Sequence, residues 1–177
     1  MKKNVLIFGL ISGLIITTMM LITVSMCYAK SDFDGNMFLG YAAMILAFSM
    51  IFVAVKNYRD KYNGGVVSFG KAFKIGLYIS LIASTMYVVV WLIDYYYFIP
   101  DFMDRYTDHV LREAKRDGAL PAELDKKAVE MATFKDLYKN PLLVILITYS
   151  EILPIGILVS LISAFFLKRK QRQPAVA

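Results

Sequence analysis

Glu151 is the residue whose type and position most demand a chemical explanation. It lies in the run LLVILITYSEILPIGILVSLISAFFL (142–167), nine residues from Leu142. At 1.5 Å per residue of helix that is a depth of about 14 Å, near the middle of a bilayer. An ionisable group there is costly and is by default a candidate functional site. Thr148 precedes it by one turn and Pro154 follows three residues later. Pro154 has no N–H for the Ser150 carbonyl and its ring crowds that oxygen, so the freed carbonyl needs another donor. Counting similar depths along the other apolar runs brings Thr17, Thr18, Ser49, Ser84, Thr85 and Tyr87 near the same level, with Asp94 shallower. No lysine or arginine falls at this depth, so the sequence supplies the carboxylate with no cationic partner. Two accounts stand. In one, Glu151 and Pro154 form a kink held by interhelical hydrogen bonds. In the other, they line a polar cavity for a proton, cation or amine.

Other chemistries find little footing. One cysteine, Cys27, and one histidine, His109, exclude an internal disulfide and give no cluster with metal-ligand spacing. No histidine, cysteine or aspartate pair shares a depth, and the serines and threonines have no base beside them except Glu151, so the chain reads as no enzyme. No cofactor or metal is expected. Nor does the net charge of +6 point to nucleic acid, because the basic residues gather beside the apolar runs, where they set orientation and meet anionic lipid.

Those runs are Val5–Tyr28, Met37–Val55, Ala72–Phe98 and Leu142–Leu167, each about the 20 residues a helix needs to cross a bilayer. With 58% hydrophobic residues and a mean hydropathy of +0.55, the 177 residues make one all-α membrane domain (1–177) of four transmembrane helices. Met1-Lys2-Lys3 and Cys27-Tyr28-Ala29 imitate a secretion signal, but the first run exceeds the roughly 7–15 apolar residues of such a signal and reads as a retained helix. Lys2 and Lys3, the group Lys56, Arg59, Lys61, Lys71 and Lys74, and the tail Lys168, Arg169, Lys170 and Arg172 all fall on one side of four spans. Both termini are therefore expected in the cytoplasm. The first loop, with Lys30 against Asp32 and Asp34, and the long segment 99–141, whose eight basic residues are balanced by nine acidic ones, are expected outside.

Small residues mark where helices approach in lipid. Gly9 and Gly13 stand in GxxxG spacing. Gly76 and Ser80 in the third run face the same half of the membrane as Gly156 and Ser160 in the fourth, which predicts close contact of those two backbones. Gly9 and Gly13 serve either the bundle of one chain or a homodimer. Asn57–Ser68 reads as a polar turn broken at Gly64-Gly65, with Ser68 capping the third helix. Tyr95, Tyr96 and Tyr97 read as an interfacial belt. Between helices 3 and 4 the spacing predicts an amphipathic helical hairpin. Phe102, Tyr106, Val110 and Ala114 form one stripe. Gly118 ends the first helix, Pro121 opens the second, and Leu124, Ala128, Met131, Phe134 or Lys135, and then Tyr138 mark its face. That stripe must rest on the bundle, on the lipid interface or on a partner, and His109 reads as solvated.

The segment GGVVSFGKAFKIG (64–76), followed by Tyr87 and Trp91, and the second group of Lys139-Asn140-Pro141-Leu142, Thr148-Tyr149, Glu151, Pro154, Gly156 and the 161–170 ending, together resemble a bacterial four-helix membrane family known as domain of unknown function 4199. The resemblance covers nearly the whole chain. It implies a small helical bundle in the bacterial cytoplasmic (inner) membrane and carries over no catalytic or binding residue. The leading expectation is then a membrane subunit or scaffold acting through lipids or a membrane-protein partner. The alternative is a transporter or channel component that uses Glu151 as an intramembrane proton or cation site.

Overall fold

A long apolar run in lipid satisfies its backbone only as a helix, and each of the four runs is one. The computed structural model describes residues 1–30, 33 and 37–169. Asp32 and Asp34 of the first loop and Lys170 and Arg172 of the tail lie outside them. Helix α1 spans Lys2–Lys30, α2 Met37–Asn57, α3 Phe69–Ile93, α4 Phe102–Arg116, α5 Pro121–Leu137 and α6 Pro141–Leu167. Four segments are long and apolar enough to cross a membrane: Lys2–Ala29, Leu39–Tyr62, Phe69–Phe98 and Pro141–Leu167. The protein is an all-α multi-pass membrane protein.

Two spans run on as π-helical turns, Tyr58–Tyr62 after α2 and Asp94–Phe98 after α3. The first shortens the turn expected over Asn57–Ser68. The helix continues to Tyr62 because Tyr58 is buried against the core and stacks near Tyr62, and the chain reverses only at Gly64 and Gly65. Both of these glycines take the left-handed conformation that favours glycine (φ 61° and 77°). Ser68 then caps α3 by accepting from the Lys71 amide, and Asn140 caps α6 by accepting from the Leu142 amide (3.0 Å), with Pro141 in the first turn.

The bundle closes on small residues. A Cβ on Gly76 would lie 2.8 Å from the Ser160 Cβ, and one on Gly156 would lie 2.7 Å from the Ser80 Cβ. Each glycine of one helix thus receives the serine of the other. The two hydroxyls sit 3.2 Å apart, close enough for one to donate to the other, and each also lies within reach of a carbonyl of its own helix, Ser80 of Gly76 O and Ser160 of Gly156 O. On the other side of α3, Gly9 lies against Ile82 and Gly13 against Met86. Both α1 glycines are therefore used within one chain. Near the start of α1 Asn4 donates to the Ala54 carbonyl (2.9 Å) and accepts from Asn57 (2.9 Å), and Val67 pairs with Arg169, two residues past the end of α6. Helices α2 and α3 pack against each other and against both α1 and α6, whereas α1 and α6 do not pack along one another.

Helices α4 and α5 pack together, with an Asp104–Lys135 ion pair across them and Gly118 (φ 84°) in the turn. Met103 and Ala114 are buried on α4. On α5 no residue is fully buried. Leu124, Ala128 and Met131 are half-buried and Phe134 is exposed, so the expected stripe is thinner there. The pair is fastened to the bundle at its base. Tyr28 Oη donates to Asp101 Oδ1 (2.9 Å), Arg105 Nε donates to Asp101 Oδ2 (2.6 Å), and the Arg105 guanidinium covers the Tyr28 ring. Tyr95 departs from the expected interfacial belt. The π turn swings it inward, where it is buried against Trp91, Phe102 and Tyr138, and Tyr96 donates to the Tyr138 carbonyl (3.0 Å). Tyr97 and Phe98 face outward. His109 is likewise no solvated residue: its side chain is 12% exposed, beside Phe33 and Glu113.

Candidate functional site

The gap left between α1 and α6 holds a cavity of about 350 Å³, within the roughly 300–1,000 Å³ usual for small-molecule sites. Its walls come from every part of the chain. Helix α1 gives Met20 and Thr23, α2 gives Gly40 and Met44, α3 gives Tyr87 and Trp91, and α6 gives Thr148 and Glu151. Phe102, Met103 and Tyr106 of α4, with Phe134 of α5 and Tyr138 just after it, complete the lining. The base of the α4–α5 pair is therefore one wall of the site. Trp91 and Phe102 meet edge to face at 5.2 Å, and Tyr95 holds Tyr138 edge to face at 5.3 Å from outside the lining.

Glu151 is ten residues into a 27-residue helix. Its side chain is exposed, and it lines the cavity. Among the described residues no hydrogen bond or ion pair reaches its carboxylate, and no lysine, arginine or histidine lines the cavity. Thr148 Oγ1 donates to the Val144 carbonyl (2.8 Å) and Thr23 Oγ1 to the Met19 carbonyl (2.9 Å). Each threonine thus spends its proton on its own helix and offers the cavity only lone pairs. Burial pushes the Tyr138 phenol well above its ordinary value, and the charge of Glu151 adds to the effect.

Of the residues that depth counting grouped, the structure brings Glu151, Thr148 and Tyr87 to one cavity. The others lie elsewhere. Ser84 is buried with an unpaired hydroxyl. Ser49 donates to the Leu46 carbonyl. Thr18 is exposed on the far side of α1. Thr85 pairs with Tyr149 at 2.7 Å. Pro154 is exposed within an unbroken α6. Among the described residues no side chain donates to the Ser150 carbonyl, and the Ser150 hydroxyl itself donates to Ile147. Trp91 was within reach of sequence reasoning, one turn from Tyr87 on the same helix face. Met20, Met44, Phe102 and Tyr138 were not, because no spacing rule says which helices leave a gap or where a hairpin docks.

A family model described as "Protein of unknown function (DUF4199)" matches residues 7–169. No curated protein and no solved structure matches the chain.

Proposed function

The chain belongs to the DUF4199 family, and from that premise we propose that it is a membrane protein that binds a small molecule within the bundle, with Glu151 as the polar anchor. The observation that carries this reading is an intramembrane carboxylate with no hydrogen-bond or ion-pair partner among the described residues, in the wall of a ligand-sized, mostly apolar cavity. Such a carboxylate is costly to keep. A structural role would have a protonated Glu151 donate to the Ser150 carbonyl freed by Pro154, and no hydrogen bond joins the two among the described residues. Instead the side chain lines the cavity. We read the protein as a binding or transport component and not an enzyme, since one carboxylate stands among threonines, thioethers and aromatic rings. By the distribution of Lys and Arg we place both termini in the cytoplasm of a bacterial cell and the α4–α5 pair outside.

A second reading, a subunit acting through a membrane-protein partner or lipid, draws on the exposed Leu120 (65%) and Val129 (68%) of the α4–α5 pair. The two readings are compatible, because the same pair walls the cavity.

Ligand-linked stability tests the first reading. A ligand at a hundred times its Kd stabilises the folded state by about 2.7 kcal/mol. Gently extracted protein should resist unfolding by sodium dodecyl sulfate better than the same protein washed exhaustively in neutral detergent. Glu151→Gln should start at the washed level and stay there. An equal loss on washing in both proteins would mean bulk lipid, not a ligand at Glu151, and would remove the reading.

A further inference from the structure

We infer that the ligand of this cavity is a monocation with an apolar body, an amine or quaternary ammonium compound. The inference rests on the cavity reading above and adds the chemical class. Three features of the lining converge. The one ionisable carboxylate, Glu151, has no cationic side chain near it among the described residues that line the cavity. An anionic ligand would meet like charge, and a neutral one would leave the carboxyl to take up a proton, because an ionised carboxylate unpaired in an apolar setting is costly. A cation supplies the missing partner. Next, the threonines at the site, Thr23 and Thr148, have spent their donors on the Met19 and Val144 carbonyls and turn only acceptors to the cavity. Last, the remaining wall is aromatic and thioether-rich. Tyr87, Trp91 and Tyr138 line the cavity, and an aromatic ring attracts a cation over its face through its quadrupole, while Met20 and Met44 give a polarizable surface that adapts to an irregular apolar body. Recognition of an ammonium group uses these parts: one carboxylate for charge, rings for the alkyl-ammonium surface, and no competing donor fork.

The chain carries its own reporter, because Trp91, its one tryptophan, lines the cavity. The test is a fluorescence titration of the full-length protein in neutral maltoside micelles. The probe is benzyltrimethylammonium, compared with neopentylbenzene, its uncharged carbon isostere. The wild type should show a saturable change in Trp91 emission with the cation, and binding of the isostere about tenfold weaker or worse. Glu151→Gln should weaken the cation by about tenfold or more and leave the isostere unchanged. Gly40→Leu serves as a second variant. Gly40 lines the cavity and a Cβ there meets no atom within 4 Å, so a leucine begins in open space at the cavity wall and should weaken both probes by narrowing the site. If the isostere binds as well as the cation, or Glu151→Gln binds the cation like wild type, the assignment of a cation is wrong while the cavity stands. If neither probe saturates in the wild type, both the assignment and the cavity reading fall.

Discussion

Replacing Gly156 by alanine examines the seam that sets α6, and with it Glu151, against α3. The added Cβ would lie 2.7 Å from both Cβ and Oγ of Ser80 and 3.0 Å from Cζ of Phe48. Phe48 is fully buried in the same core. Overpacking by a methyl group costs about 1–3 kcal/mol, and alanine's helix preference over glycine returns up to ~1 kcal/mol. The net loss for Gly156→Ala is then roughly 1–2 kcal/mol. Ser80→Gly removes both Ser80 atoms that the new Cβ meets. On its own it forfeits the 3.2 Å Ser80–Ser160 contact, worth about 0.6 kcal/mol in a membrane protein, and adds a helical glycine at about 0.5–1 kcal/mol. Independent losses would sum to roughly 2–4 kcal/mol. Because the clash is the main term and the second change relieves it, the double variant should lose only about 1–2 kcal/mol. The assay is equilibrium unfolding in mixed micelles of neutral detergent and sodium dodecyl sulfate, with all four proteins forming a double-mutant cycle. Additivity within about 0.5 kcal/mol would refute the reasoning that backbone approach at Gly156 and Ser80 governs the seam.

Three other perturbations follow from the same geometry. Gly13→Leu should destabilise the fold more than Gly40→Leu, because a side chain at Gly13 meets Met86 whereas a Cβ at Gly40 meets open space; equal midpoints in the same unfolding assay would contradict the α1–α3 contact. Asn4→Ala should cost about 1–2 kcal/mol, since it strips a buried donor from the Ala54 carbonyl and an acceptor from Asn57; a loss indistinguishable from zero would show that water replaces it freely. Arg105, and after it Tyr28, hold the Asp101 carboxyl below its usual range, so the unfolded chain takes up that proton first and the contact stabilises the docked pair above about pH 4, giving way on further acidification. Trp91 emission, which senses Phe102 at 5.2 Å, should report this release in the wild type and be already altered and flat in Asp101→Asn.

The sequence reveals the four spans because backbone in lipid has one solution, and small residues four apart mark the faces that touch. Gly76, Ser80, Gly156 and Ser160 meet because nothing larger fits. Glu151 stands out for a related reason, as a charge among apolar neighbours. Its companions are harder to read. Depth counting puts Ser49, Thr18 and Tyr87 at one level without saying which way each faces. A rotation of 100° per residue around a helix decides that, and only Tyr87 lines the cavity. The π turn at Asp94–Phe98 follows from no composition rule. Yet it sends Tyr95 inward to hold Tyr138 while Tyr97 stays outside. His109 misleads because its neighbours in sequence are charged, while its neighbour in space is Phe33.

The central claim is that Glu151 anchors a ligand inside the bundle. Native mass spectrometry of gently extracted wild type, Glu151→Gln and Gly40→Leu tests it most directly. The account predicts one defined small-molecule adduct on the wild-type chain and its loss from both variants, each of which retains its helical content and migrates as a folded protein. The same adduct on all three, or a bare chain in all three, would contradict it.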